Sequence, residues 1–166
     1  MTLAQLTISN ESDCLVDVSA LSGLVEYAFG QLALHADCEL GITLVDEERM
    51  TTLHEDWMNE PGPTDVLSFP MDELRSAPEG YEPVAGMLGD IVLCPQVAET
   101  QAIAAKHSTI DEIVMLTTHG LLHLLGFAGA CAQHQQRAQQ PEQARAQPEQ
   151  AQRASGASVP RPDRRA

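Results

Sequence analysis

The sequence contains few aromatic residues, no paired cysteines and no long apolar run. Aromatic residues make up 4% of its 166 positions. No apolar stretch approaches the roughly 20 residues that a membrane-spanning helix needs, and the first ten residues lack the basic start of a secretory signal. The cysteines form no Cys-x-x-Cys pair, so reduced thiols are expected. They are Cys14, Cys38, Cys94 and Cys131. These absences predict a cytoplasmic protein that does not enter a membrane. The length of 166 residues suits one domain.

Basic residues are scarce before residue 128. Residues 1–127 carry 21 acidic side chains and only three basic ones, a net charge of −18. Residues 128–166 carry six arginines and three acids, with a single valine as their only large aliphatic residue and no aromatic one. Such a segment cannot bury enough apolar surface to offset the entropy lost on ordering. The sequence therefore predicts one domain over residues 1–127 and a disordered low-complexity tail over residues 128–166.

Apolar periodicity within the first 127 residues alternates between strand and helix. Strand patterns cover residues 3–9, 39–45, 65–69 and 89–94, and helical patterns cover 18–35, 46–58, 95–107 and 108–125. Residues 72–86 read as a loop that contains proline and glycine. The alternation predicts an α+β fold, with a small mixed β-sheet packed against helices.

The last helical pattern has well-defined ends. Ser108 with Asp111 three residues later is a variant of the capping box that begins a helix. Gly126 is a typical residue for the position just after a helix. Within this segment, His119 and His123 are four residues apart, so on a helix they project from one face within reach of a single metal ion. A histidine pair on an apolar helix is equally often a buried or hydrogen-bonded pair, so spacing alone leaves both interpretations open.

Two features limit the chemistry of this helix. Zinc hydrolases with this layout take a third histidine from the residue three positions after the glycine, which is Gly129 here. The residue after His119 is Gly120, where metallopeptidases carry the glutamate that acts as general base. A metallopeptidase is therefore the weakest of the hydrolase interpretations.

Three sequence blocks together resemble a known family. Residues 119–127 read HGLLHLLGF, residues 63–70 read PTDVLSFP, and residues 86–94 read GMLGDIVLC. Their order and spacing are similar to those of the bacterial zinc-dependent endoribonucleases that mature ribosomal RNA (YbeY-like), and the resemblance covers residues 1–127. It implies an α+β domain with a zinc-hydrolase-like active-site helix, one Zn²⁺ per chain, and cleavage of single-stranded RNA. It further implies a role in 3′-end maturation of small-subunit rRNA and in ribosome quality control.

The resemblance makes His119 and His123 the expected zinc ligands, and it also exposes two departures. The third family ligand falls on Gly129, and the helix expected after it is replaced by the tail, whose Ala, Arg, Pro, Gly and Gln content suggests a shifted reading frame near residue 128. Cys131 and His134 are the remaining residues of the tail that could substitute as ligands. Met58 stands where many family members carry an arginine, and methionine cannot pair with phosphate.

Several other matched residues have a structural and a functional interpretation. Asp65 is a weak candidate for the catalytic base, although a polar residue at the start of a strand explains it equally well. Ser68 and Asp90 are minority candidates for the site. Cys94 is expected to be a buried thiol. Trp57 is expected to lie in the core, with base stacking as the alternative.

The residues leave two classes of function open. The first is the metal-dependent endoribonuclease, with activity impaired by the missing third histidine. The second is a catalytically inactive ribosome-assembly protein, because a domain with a net charge of −18 repels phosphate and favours basic ribosomal proteins. Expected partners are rRNA, the small ribosomal subunit and basic ribosomal proteins. Zinc content and chelator-sensitive nuclease activity would separate the two classes.

Overall fold

The computed structural model describes residues 5–72 and 74–127, which lie in the first of the two units of the chain, Met1–Ala130. The strands are β1 (Leu6–Asn10), β2 (Glu39–Leu44), β3 (Val66–Pro70) and β4 (Met87–Leu93). The helices are α1 (Val18–Gln31), α2 (Glu47–Met58), α3 (Pro95–Ala105) and α4 (Thr109–Leu124). The tail predicted for residues 128–166, its suspected frame shift and the boundary at residue 127 lie outside the described residues and stay predictions.

The four strands form one mixed sheet in the order β1-β2-β4-β3. Strands β1, β2 and β4 are parallel, whereas β3 runs antiparallel to β4 and forms an edge. Parallel neighbours need helical crossovers, which α1 provides between β1 and β2. The predicted α+β fold with a small mixed sheet is confirmed.

The two faces of the sheet carry different layers. Side chains alternate along each strand, so one face buries the large residues Leu40, Ile42, Leu44, Ile91 and Leu93 in a cluster that also contains residues of α1 and α4. A second, smaller cluster joins Leu67 and Val92 to Met50 of α2. Helix α2 therefore packs on the face opposite to α4.

The helix ends show which sequence signals were reliable. The Ser108 hydroxyl accepts a hydrogen bond from the Asp111 backbone N–H at 3.2 Å, as the capping box predicts. Helix α1 was predicted to continue to residue 35 but ends at Gln31, because Ala33 adopts a left-handed backbone (φ +50°) that no helix can continue through. Leu32 and Leu34 still pack against the core from this turn, which explains why the apolar pattern overran the helix.

The cysteines of the described residues form no disulfide bonds. Cys14, Cys38 and Cys94 are free thiols, and Cys131 lies beyond the described residues. In the part of the chain that the structure describes, no helix combines the length and apolarity needed to cross a bilayer.

Candidate functional site

Helix α4 carries the predicted histidine pair on its outer side. Its inner side is buried against the sheet through Ile113, Leu116, Leu121 and Leu124. His119 is half-buried and His123 is exposed. Because residues four apart lie one above the other on a helix, both imidazoles belong to one face at the C-terminal half of α4. The structure thus places both predicted ligands on α4, one helical turn apart.

Gly120 marks the closest approach of α4 to the sheet. A Cβ atom at this position would lie 2.9 Å from Cγ2 of Ile91 and 3.1 Å from Oγ of Ser68. The Ser68 hydroxyl donates a hydrogen bond to the Gly120 carbonyl at 3.3 Å. Position 120 therefore faces strands β3 and β4, and a larger side chain there would be crowded by Ile91 and Ser68. Glycine at this position supplies no general base.

The chain leaves α4 through a tight turn. Gly126 has φ +82°, a conformation that side chains disfavour, and its N–H donates to the carbonyl of His123 at 3.0 Å. The predicted third position, Gly129, and the substitutes Cys131 and His134 lie outside the described residues. Within residues 5–72 and 74–127, no group of three His, Cys, Asp or Glu side chains is placed to hold a metal ion.

Asp65 has a structural role at the start of β3. Its carboxylate accepts hydrogen bonds from the backbone N–H of Val66 at 2.7 Å and from Nε2 of Gln101 at 3.1 Å. Its backbone carbonyl accepts from the N–H of Cys94 at 3.0 Å. These bonds fasten β3 to α3 and to the end of β4. They account for an aspartate at this position, while its role as catalytic base stays a prediction.

Ser68 and Asp90 lie on opposite faces of the sheet. Ser68 pairs with Ile91 and lies beneath Gly120, on the face that α4 covers. Asp90 precedes Ile91, so its side chain points to the other face, where the missing side chain of Gly41 leaves room for the carboxylate. Of these two candidates, the structure places Ser68 against α4 and Asp90 on the face away from it.

The prediction that Trp57 is buried is wrong, whereas the prediction that Cys94 is buried is confirmed. Trp57 was expected in the core, but 68% of its surface is exposed, because it lies in the last turn of a helix that buries only Met50. Its ring makes an edge-on contact with Phe69, with centroids 5.4 Å apart. Cys94 is buried as predicted, and burial raises the pKa of its thiol.

One residue near the histidine helix was not singled out by the sequence. The side chain of Arg75, from the loop between β3 and β4, lies next to the turn that ends α4. Its Cζ and Nη2 atoms are 3.9 Å from the position of a Cβ on Gly126. The available signal was scarcity, since Arg75 is one of three basic residues among the first 127.

Comparison with known proteins identifies the family. The family model for endoribonuclease YbeY matches residues 7–150. The endoribonuclease YbeY of Clavibacter michiganensis is 58% identical over 122 residues, which cover 74% of this chain and 80% of that protein. The endoribonuclease YbeY of Thermobifida fusca is 54% identical over 122 residues, covering 74% and 79%. The solution structure of TM1509 from Thermotoga maritima is similar with a TM-score of 0.50 and 25% identity, covering 73% of this chain and 72% of that one. The chain belongs to the YbeY family of endoribonucleases, hydrolases that act on RNA.

Proposed function

We propose that the protein is a zinc-dependent endoribonuclease that cleaves single-stranded RNA in the cytoplasm and acts in 3′-end maturation of small-subunit rRNA and in ribosome quality control. The observation that carries this proposal is the pair His119 and His123 on one face of α4, in a chain of the endoribonuclease YbeY family. Expected partners are rRNA within the small ribosomal subunit and basic ribosomal proteins.

The two imidazoles of α4 are suitable zinc ligands, but a catalytic zinc site needs a third ligand from the protein. Imidazole nitrogens are good zinc ligands, and an i, i+4 pair on a helix can share one ion. Catalytic zinc sites use three protein ligands and leave a fourth position for water or substrate. The described residues supply His119 and His123, and a third ligand must come from the segment after Phe127. We therefore expect weaker zinc affinity than a site with three histidines has.

The protein groups around the pair determine how hydrolysis can proceed. A zinc ion held here would supply Lewis acidity for the scissile phosphate and a water whose pKa falls toward about 7. Gly120 brings α4 down onto Ser68 and Ile91, which fixes the helix and hence the two imidazoles relative to the edge strand β3. Because position 120 is glycine, proton transfer must come from elsewhere: Asp65 is the candidate from this chain, and the RNA itself is the alternative.

A second candidate function rests on the charge of the protein. The net charge of −15, and of −18 over residues 1–127, opposes the approach of naked RNA and favours basic ribosomal proteins. A catalytically inactive ribosome-assembly protein would therefore have the same surface. Metal content and cleavage distinguish it from the enzyme.

The test measures zinc stoichiometry and cleavage of a single-stranded RNA, with and without a chelator. We expect chelation to abolish cleavage, and His119→Ala or His123→Ala to remove both zinc and activity. His35→Ala is a matched control, because it removes a partly exposed imidazole that lies outside α4 and makes polar contacts with its neighbour Asp37. Zinc-free protein that still binds ribosomal proteins and never cleaves RNA would favour the assembly protein.

The third ligand is tested by substitution in the segment after α4. We expect Gly129→His to tighten zinc binding clearly, because it restores the position three residues past Gly126. Cys131→Ser and His134→Ala test whether the tail already provides a ligand. Unchanged affinity in Gly129→His, together with a large loss in either of the other two, would show that the third ligand is already present.

A further inference from the structure

A positive charge lies beside the turn that ends α4, the helix that carries the histidine pair. The guanidinium of Arg75 is 3.9 Å from the Cβ position of Gly126, and the N–H of Gly126 bonds the carbonyl of His123 at 3.0 Å. Arg75 therefore lies beside the turn that follows His123 at the end of α4. Its side chain is exposed, so it can reach a ligand that approaches this end of the helix.

The two other basic residues among the first 127 are elsewhere. Arg49 is on α2, which packs on the face of the sheet opposite to α4. Lys106 caps the end of α3 just before α4 begins, and the 15 residue-to-residue steps from Ser108 to His123 span about 22 Å at 1.5 Å per step. Arg75 is thus the basic residue of the described chain that lies at the histidine end of α4.

The charge of Arg75 has no ion-pair partner among the described residues. The ion pairs among the described residues all involve histidines, and none uses Arg75. Met58, in the last turn of α2, is half-exposed and offers no charge for a phosphate. Arginine presents a rigid fork of N–H donors that matches phosphate oxygens, and such charge-assisted bonds are stronger than neutral ones. In a domain of net charge −18, an RNA strand needs a local cation to come near the site.

We propose that Arg75 binds a backbone phosphate of the single-stranded RNA substrate, next to the bond that is cut. The inference rests on the proposed endoribonuclease function and adds a substrate-binding residue to it. A purely structural role is the competing explanation, since a cation beside the C-terminus of α4 also stabilises the helix dipole. The two roles differ in their response to salt, because a phosphate contact releases counterions when RNA binds.

The experiment titrates a fluorescent single-stranded RNA with the full-length protein at several salt concentrations, with EDTA present so that the RNA stays intact. Arg75→Gln should weaken RNA binding about 10-fold at low salt. The slope of log affinity against log salt should lose about 0.7, the value for one phosphate contact with a single strand. Arg75→Lys keeps the charge and should retain most of the slope. Arg49→Gln is the matched control, with the same charge change on the other side of the sheet.

The outcomes separate the explanations. Equal affinity and equal slope for Arg75→Gln and Arg49→Gln would overturn the assignment while leaving the endoribonuclease function intact. A lower melting temperature with an unchanged slope would assign Arg75 to the helix end and also overturn it. Wild-type protein that neither binds nor cuts RNA would remove the proposed function, and this inference with it.

Discussion

Gly120 has a tight environment, whereas Gly23 in α1 has an open one. Because a Cβ at position 120 would lie 2.9 Å from Ile91 and 3.1 Å from Ser68, we expect Gly120→Ala to destabilise the protein by about 1–3 kcal/mol through overpacking. Alanine at position 23 would meet nothing within 4 Å, so Gly23→Ala should stabilise by about 0.5–1 kcal/mol through helix propensity. Urea unfolding of both variants measures the difference. Equal stability of the two would show that α4 can move away from the sheet.

At the level of single residues, sequence spacing predicts the positions of some side chains, whereas tertiary packing determines the positions of others. The placement of His119 and His123 on one face of α4 follows from helical periodicity, so it could be predicted. The exposure of Trp57 depends on how α2 lies on the sheet, and the place of Arg75 depends on the path of the β3–β4 loop. Apolar periodicity predicts neither of these two features. Residue type and scarcity were the only sequence signals for these two.

The N-terminus of α1 provides a prediction at the level of an element. Hydrogen bonds from the hydroxyl and backbone N–H of Ser19 hold the pKa of the Asp17 carboxyl below its usual value. A lowered pKa means that the cap stabilises the fold above the unfolded-state pKa of about 3.9 and is lost as pH falls through the folded-state pKa. We expect Asp17→Ala to lower the melting temperature at pH 7, with the gap to wild type closing below about pH 4.

Thermal unfolding followed by circular dichroism between pH 3 and pH 7 measures this gap. Asp13→Ala is the control, because it removes an exposed carboxylate that lies outside the helix. A gap for Asp17→Ala that stayed constant down to pH 3 would mean that the charge of the cap contributes nothing.

Element boundaries were predictable where side chains make local bonds. Asp46 and Ser108 cap α2 and α4 as their sequences indicate, because a capping bond spans only three residues. The end of α1 and the extent of β4 were missed by two to four residues. The first depends on the left-handed Ala33 and the second on a register shift beside Leu40, and both are set by packing partners distant in sequence.

At the scale of the whole molecule, the distribution of charge affects both function and stability. The three matched sequence blocks predicted the family, and the alternating periodicity predicted the sheet and its helices. Strand order was outside the reach of these signals, because the placement of β4 between β2 and β3 depends on contacts across most of the domain. The acidic composition is given directly by the sequence, and it affects stability and binding rather than the order of the strands.

The net charge of −15 predicts that salt stabilises this protein. Like charges are closer together in the folded state than in the unfolded chain, so their repulsion favours unfolding, and salt screens it. The screening length falls from about 30 Å at 0.01 M to about 8 Å at 0.15 M. We therefore expect the melting temperature at pH 7.5 to rise by roughly 2–5 °C between 10 and 150 mM KCl, a shift equivalent to about 1 kcal/mol or less. The same titration at pH 5, close to the isoelectric point of about 4.5, is the control and should show a smaller rise. A melting temperature that fell with KCl at pH 7.5 would mean that attractive ion pairs outweigh the net repulsion.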